Sequence, residues 1–289
     1  MNKPEITVGI SFKDPGPYFK LALRSVFAQS FNDWELLLMD DGSSDGSLEF
    51  ARSIRDSRVR VFSDGQSRNL NVRLNELVNL AKGRYFVRMD ADDAMHPNRL
   101  ERQFDTLEKQ GRRTVVGSAA YSMDRESNII GLRPAATRHQ VGFSARHSFH
   151  HPTVAAPLAW FRENPYSERL VYRRVEDAEL WCRTSHHTNF MSLTEPLLFY
   201  REAGASGFGN YLASEFGILH LLWERHRKPF RRYAWQASLE MVKIWLAFCC
   251  EGLGKTEWMD RQRYRRLDPL SRKEADHALK RVQSQMIPQ

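Results

Sequence analysis

The chain has 289 residues, 42% of them hydrophobic and 27% charged, with a formal net charge of +8, the make-up of a soluble globular protein with room for a full core. Its three cysteines, Cys182, Cys249 and Cys250, supply neither a disulfide framework nor zinc-site spacing, and they point to a reducing, cytosolic compartment. The apolar run IWLAFCC (244–250) is far short of the ~20 residues of a membrane-spanning helix, and MNKPEITVGISF lacks the basic start and long apolar core of a signal peptide, so neither is expected.

In chain order, EITVGISF (5–12) reads as a strand, and YFKLALRSVFAQ (18–29) has apolar residues at helical spacing after the turn signal DPGP. WELLLMD (34–40) is a near-continuous apolar strand, the kind buried on both faces. SLEFARSIR (47–55) reads as a helix, VRVFSD (59–64) as a strand, and LNVRLNELVNLAKG (70–83) as a helix ending on Gly83. RYFVRMD (84–90) is a fourth strand, and PNRLERQFDTLEKQG (97–111) a helix with Pro97 in its first turn. Four βα units in succession predict an α/β fold with a mostly parallel, doubly wound sheet, whose ligands bind outside the carboxyl ends of the strands.

Beyond residue 111, TVVGSAAYSMD (114–124) and NIIGLR (128–133) read as a strand and a hairpin. HHPTVAAPLAWF (150–161) reads as a strand, VEDAELWCRTSHH (175–187) as a helix, and NFMSLTEPLLFYRE (189–202) as a strand pair or one strand interrupted at Pro196. A glycine-rich loop, GASGFG (204–209), suits a lid. From about Tyr211 onward everything reads as helix, with breaks at Pro229 and near Gly252 and Gly254.

Both acidic clusters of the first half fall at predicted strand ends. In LLLMDDGSSDGS, Ser43, Ser44 or Asp45 can cap the next helix. A second carboxylate at Asp41 helps no cap and suits a nucleobase or ribose hydroxyl. In MDADDAMHP, Asp90 and Asp92 are one residue apart and point the same way from an extended strand. Mg²⁺ or Mn²⁺ takes one or two such carboxylates together with water and diphosphate oxygens. The central glycine and distal glutamate of an EF-hand are missing. In YRRVEDAELW, Glu176 and Asp177 open a helix, where the macrodipole already favours acids. The residues alone leave Asp177 open between that role and a catalytic base.

Taken together, in this order and spacing, the segments ITVGISF, LALRSVFAQSFNDWELLLMDDGSSDGS, LNELVNLAKGRYFVRMDADDAMHPNRLERQ, HPTVAAPLAWF, VEDAELWCR and EPLLFYR resemble the family 2 glycosyltransferases, inverting enzymes of the GT-A fold. The resemblance covers about residues 5 to 202. It implies a nucleotide-sugar donor, a glycan or lipid-linked acceptor, a Mn²⁺ or Mg²⁺ cofactor and a setting in bacterial surface polysaccharide synthesis. It further implies that Asp41 and Ser11 bind the donor nucleoside, Asp90 lies near the ribose, Asp92 holds the metal and Asp177 is the general base. Glu176, His151 and Arg201 are weaker site candidates. The chain departs from the family at SFKDPGP after the first strand, which leaves UDP, dTDP and GDP open, and it lacks a histidine after the terminal YR. Two rivals are a catalytically silent GT-A relative acting as a nucleotide-binding scaffold, and a phosphoryl-transfer enzyme of the haloacid-dehalogenase kind.

The expected division is a GT-A domain over 1–215 and a basic helical extension over 216–289. From Gly217 onward 15 Lys/Arg face 8 Asp/Glu, so the extension carries nearly all of the net charge. In RRYAWQASLEMVKIWLAFCC the polar residues Arg232, Gln236, Glu240 and Lys243 form one helical stripe on an otherwise apolar surface. Such a helix packs on the catalytic domain, on a second subunit in a homo-oligomer, or on an anionic membrane surface, to which RHRKPFRR and RQRYRR would be drawn. Neither basic cluster belongs to a nucleic-acid module, so no nucleic-acid partner is expected. The implied location is cytoplasmic, at the inner face of the membrane.

Overall fold

The structure, a computed structural model, describes residues 3–136, 149–202, 208–225, 235, 237–242, 245 and 264–289. The expected helix breaks near 229 and 252–254, residues 204–207 of the glycine-rich segment, and most of the two basic clusters lie outside the described residues.

The first half is as the alternation of periods predicts. Strands β1 (Ile6–Phe12), β2 (Trp34–Asp40), β3 (Val59–Phe62) and β4 (Tyr85–Arg88) lie in the order β3-β2-β1-β4, all parallel. Helices α1 (Phe19–Phe27), α2 (Ser47–Arg52) and α3 (Leu70–Leu80) connect them, and α4 (Arg99–Glu108) follows the short strand β5 (Ala94–Met95). Side-chain alternation sorts the core onto two faces of the sheet. Ile6, Val8, Ile10, Leu36 and Leu38 pack with Leu23 and Val26 of α1 and Leu100 of α4. Leu37, Met39 and Phe86 pack with Leu74, Leu77 and Val78 of α3.

The second half is mixed rather than parallel. Strand β6 (Thr114–Met123) pairs antiparallel with β7 (Ile129–Arg133) as the expected hairpin. The segment 150–161, expected to be one strand, is three elements. A 3₁₀ turn (His151–Thr153) leads into β8 (Ala155–Pro157), which bridges β4 and β6 antiparallel, and then into α5 (Leu158–Glu163). Pro157, with no N–H to give a ladder, closes β8, while Pro152 lies within the 3₁₀ turn. Strand β9 (Asn189–Arg201) is one strand, parallel to β6, with the register slipping from Leu193 to Pro196 between Ser118 and Ala119. Its far edge carries β5, so Ala94 and Met95 are pinned against Phe199 and Leu198 immediately after the acidic cluster.

Gly83 is not the end of α3. The helix stops at Leu80, and Ala81 is already extended at ψ 141°. Gly83 is required instead by close approach, since a Cβ there would stand 2.5 Å from the Thr7 amide nitrogen and 2.7 Å from the Ile6 carbonyl carbon. Gly83→Ala is therefore expected to cost roughly 1–3 kcal/mol, the usual penalty of overpacking against backbone. Urea denaturation reads it, and a wild-type midpoint would show that the two strands can part without cost.

Helix α6 (Glu176–Thr184) precedes β9, and α7 (Phe208–Arg225) follows it. The expected division at 215/216 falls inside α7. Gly217 lets that helix approach the Val171–Val175 segment, where a Cβ would meet Val175 Cγ2 at 2.6 Å. The last helix, α8 (Pro269–Ser284), is capped by Asp268, whose carboxylate accepts from the Leu270 and Ser271 amides at 3.0 Å each. Its Ala275, Ala278 and Leu279 pack with Ala94, Tyr121, Met123, Ile129 and Phe199, which joins the C-terminal helix to the far half of the sheet. Among the described residues no helix is long and apolar enough to cross a membrane.

Candidate active site

Two of the three candidate clusters sit just beyond carboxyl strand ends, and the third opens a helix. At the end of β2, the Asp41 amide donates to the Phe12 carbonyl at 2.8 Å, which ties it to the end of β1, where Ser11 is half-buried in register with Met39. The Asp41 carboxylate accepts from the Arg68 amide at 2.6 Å, the Ser67 hydroxyl at 3.1 Å and Arg73 Nε at 2.9 Å. Lys13 Nζ donates to the same Ser67 hydroxyl at 3.0 Å. Ser43 and Ser44 brace the loop after β1 through Asp14, and Asp45 accepts from the Ser47 amide at 3.0 Å, but the N-cap of α2 is Gly46 and none of the three expected residues.

Arg73 is fully buried and pairs with Asp41, Asp64 and Glu76, so the Asp41 carboxylate is held by a cation that cannot reach solvent. Its place on α3 gave no sign of this, because one arginine in an amphipathic helix reads as a surface residue.

At the end of β4, Asp90, Asp92 and Asp93 each offer an oxygen, and these lie within 4.8 Å of one another. Asp90 is gripped by the guanidinium fork of Arg88, at 3.0 Å from Nη1 to Oδ2 and by a second bond from Nη2. Burial and the Asp90 charge push Asp92 up to about 6. Burial and both neighbouring carboxylates push Asp93 well above the usual range. Asp93 Oδ1 accepts from the Arg201 amide at 2.8 Å, while its buried Oδ2 has no partner. Three hard oxygen donors within 4.8 Å of one another, one carboxylate oxygen among them orphaned, fit a divalent cation such as Mg²⁺ or Mn²⁺.

Two arginines support this cluster from within. Arg88 and Arg99 are both buried, and Arg99 Nη2 donates to the Arg88 carbonyl at 2.8 Å. Burial lowers Arg99 to about 9. Arg201, a weaker site candidate at the end of β9, engages its guanidinium within the protein. Nε donates to the Asp92 carbonyl at 2.9 Å, Nη1 to Asp124 at 2.7 Å and Nη2 to the Ser127 hydroxyl at 3.0 Å, with the plane 3.9 Å above the Tyr18 ring. It clamps the acidic loop to the loop after β6.

The third group opens α6. Asp177 is half-buried, accepts from the Ala178 amide at 2.7 Å and is raised by burial. Glu176 is buried, and burial followed by the Asp177 charge lifts it to about 8. Its Oε1 lies 3.9 Å from His151 Nδ1, and its Oε2 has no partner. His151, a weaker site candidate, lies in the 3₁₀ turn and is buried, with Nε2 2.9 Å from the Tyr166 hydroxyl. Burial, then the Arg88 charge, keep it well below the ordinary histidine range. Arg88 thus acts electrostatically on both the β4 cluster and the Glu176–Asp177 pair.

The raised Glu176 has a consequence for stability. Its folded value of about 8 lies above the unfolded 4.5, so the native state holds a proton that the unfolded chain has released between those two pH values. Stability is then lost as pH rises from 4.5 to about 8. Glu176→Gln should be more stable than wild type at pH 8, by at least the ~1.4 kcal/mol that one unit is worth, and equal to it at pH 4. Thermal melts at both pH values read this, and equal stability at pH 8 would contradict it.

A sheet of this order, with carboxylates closing β2 and β4 and a buried acidic pair opening α6, defines a GT-A-type α/β protein. The structure of S. aureus TarS 1–349 in complex with UDP shares the fold, with a TM-score of 0.56 over 96% of this chain and 80% of that one at 13% identity. The chain belongs to glycosyl transferase family 2, whose profile matches residues 7–168, more than half its length. It is 32% identical over 167 residues to Bacillus subtilis EpsE, named as a glycosyltransferase, covering 56% of this chain and 60% of that protein. It is 28% identical over 110 residues to the Escherichia coli UDP-Glc:alpha-D-GlcNAc-diphosphoundecaprenol beta-1,3-glucosyltransferase WfgD, covering 38% of this chain and 43% of WfgD.

Proposed function

We propose that the protein is an inverting, metal-dependent glycosyltransferase that moves a sugar from a UDP-sugar to a glycan or lipid-linked acceptor in bacterial surface polysaccharide synthesis. The observation that carries this is the meeting of two separate acidic groups around one buried cation. Arg88 forks Asp90 on the donor side and bears electrostatically on Glu176 and Asp177. A lone metal site or a lone acid–base site would need only one of them.

In this mechanism Asp41 and Ser11, at adjoining strand ends, hold the nucleoside, and Asp90 accepts from the ribose. Asp92, with Asp93 beside it, holds Mg²⁺ or Mn²⁺. Bound there, the cation supplies Lewis-acid neutralisation of the departing diphosphate. Asp177 takes the proton of the acceptor hydroxyl as its oxygen bonds to the sugar's C1. The C1–O bond to the β-phosphate breaks with its electron pair left on the diphosphate, and C1 inverts. Arg201 keeps Asp92 in place through the main chain. The UDP donor is supported by the UDP bound in TarS, and the lipid-linked acceptor by WfgD.

The C-terminal segment favours an anionic bilayer surface as the place of work. Trp235, Leu239, Met241, Val242 and Trp245 are exposed, whereas Glu240 of the polar stripe is buried. That inverted arrangement, on a segment whose Lys/Arg outnumber its Asp/Glu, suits aromatic insertion beside cationic attraction to lipid headgroups. Co-sedimentation with phosphatidylglycerol vesicles, and none with phosphatidylcholine alone, is the expected result; equal recovery with neither would remove the membrane from the account.

UDP release from UDP-glucose, UDP-galactose and UDP-N-acetylglucosamine, with and without Mn²⁺, tests the activity. Mn²⁺-dependent release from at least one donor is expected. Binding of UDP without turnover of any of them, in the presence of a membrane extract as acceptor, would leave a nucleotide-binding scaffold.

A further inference from the structure

A buried contact chain outside the reacting groups joins the two halves of the site. On α3, Arg73 Nε donates to the donor-side Asp41 at 2.9 Å. Two residues further on, Asn75 clasps the main chain of Tyr166, accepting from its amide at 2.9 Å and donating to its carbonyl at 3.0 Å. That two-sided amide bond fixes Tyr166 as a ladder would. Its ring stacks on Phe161 at 6.2 Å, and its hydroxyl lies 2.9 Å from His151 Nε2. His151 Nδ1 in turn faces Glu176 Oε1 at 3.9 Å.

We infer that Tyr166 and His151 act as one positioning unit for the Glu176–Asp177 start of α6, held by Asn75 on the same helix turn that holds the donor-side carboxylate. A neutral imidazole has one N–H and one lone pair, and the hydrogen bond made by one nitrogen decides what the other presents. With the Tyr166 hydroxyl donating to Nε2, the proton is on Nδ1 and faces Glu176. Without that hydroxyl either tautomer is open and the ring can turn, so the residue preceding Asp177 loses its fixed neighbour. The buried, unpartnered Glu176 Oε2 marks how few contacts hold this carboxyl otherwise. Neither Tyr166 nor His151 touches the reacting atoms, so their effect is on orientation alone.

This inference rests on the transferase reading, and its test separates the two. Tyr166→Phe keeps the ring and its stacking and removes only the hydroxyl. The readout is UDP release, with a membrane extract as acceptor, from whichever of UDP-glucose, UDP-galactose and UDP-N-acetylglucosamine the wild type consumes. A fall in kcat of about tenfold is expected, a loss typical of outer supporting partners, with donor KM and UDP affinity within about twofold of wild type. His151→Gln should lose a similar factor, and the double variant no more than the larger single loss, as for residues acting as a unit. Unchanged kcat in Tyr166→Phe, an equal loss in UDP affinity, or independent losses that multiply would overturn the positioning role and leave the enzyme reading standing. No UDP release by wild type from any donor would instead sink the enzyme reading, and the positioning role with it.

Discussion

Asp177→Asn is expected to lower the rate of sugar transfer by about 10²- to 10⁴-fold, the range a positioned general base contributes, while UDP binding stays within about twofold of wild type. The substitution is a clean one. Asp177 accepts from the Ala178 amide at 2.7 Å, a bond an asparagine oxygen can keep. Burial already raises the Asp177 carboxyl, so its neutral replacement removes a charge the site resists and adds no cavity. The variant should melt no lower than wild type. Loss of activity can then be read as loss of the base, and an active Asp177→Asn would remove that residue from the mechanism.

Asp92→Asn is expected to cost at least ~100-fold in transfer at limiting Mn²⁺, about 2.8 kcal/mol at about 1.4 kcal/mol per factor of ten. Asp92 is pushed up to about 6 by burial and by Asp90, which shows how poorly the cluster tolerates three negative charges unaided. A cation relieves that repulsion, and an amide offers it a far weaker ligand. Since the Asp92 carbonyl remains bonded to Arg201 Nε at 2.9 Å, the loop has no reason to move. Raising Mn²⁺ should restore part of the rate in Asp92→Asn and none of it in Asp177→Asn. Equal rescue of both, or of neither, would contradict the separate assignment of metal and base.

Much of the first half was legible because its periods are clean. Near-continuous apolar strands such as WELLLMD and amphipathic runs such as FKLALRSVF leave little choice of element. The carboxylates at 41, 90 and 92 stood out because they follow apolar strands where simple capping does not call for them, whereas Asp177, at a helix start that favours acids, was singled out only by the family resemblance. The short strand β8 did not, since three residues between prolines carry no period. Buried arginines were invisible for a different reason. Arg73, Arg88 and Arg99 have the residue type of a solvated face, and only the fold reveals that their partners are Asp41, Asp90 and the Arg88 carbonyl. His151 stood out only as a weaker site candidate; it occupies a turn, and its hydrogen-bond partner Tyr166 lies fifteen positions away. In the C-terminal segment the polar stripe suggested which side faces water, and the burial of Glu240 reverses that side where it is described.

The central claim is that the β4 cluster binds a cation together with a nucleotide diphosphate. Calorimetric titration of UDP into wild type and Asp92→Asn, each with and without Mn²⁺, tests it most directly. The account predicts UDP binding that requires Mn²⁺ in wild type and is weakened at least tenfold in Asp92→Asn. UDP binding of equal strength in all four titrations, or in none, would contradict it.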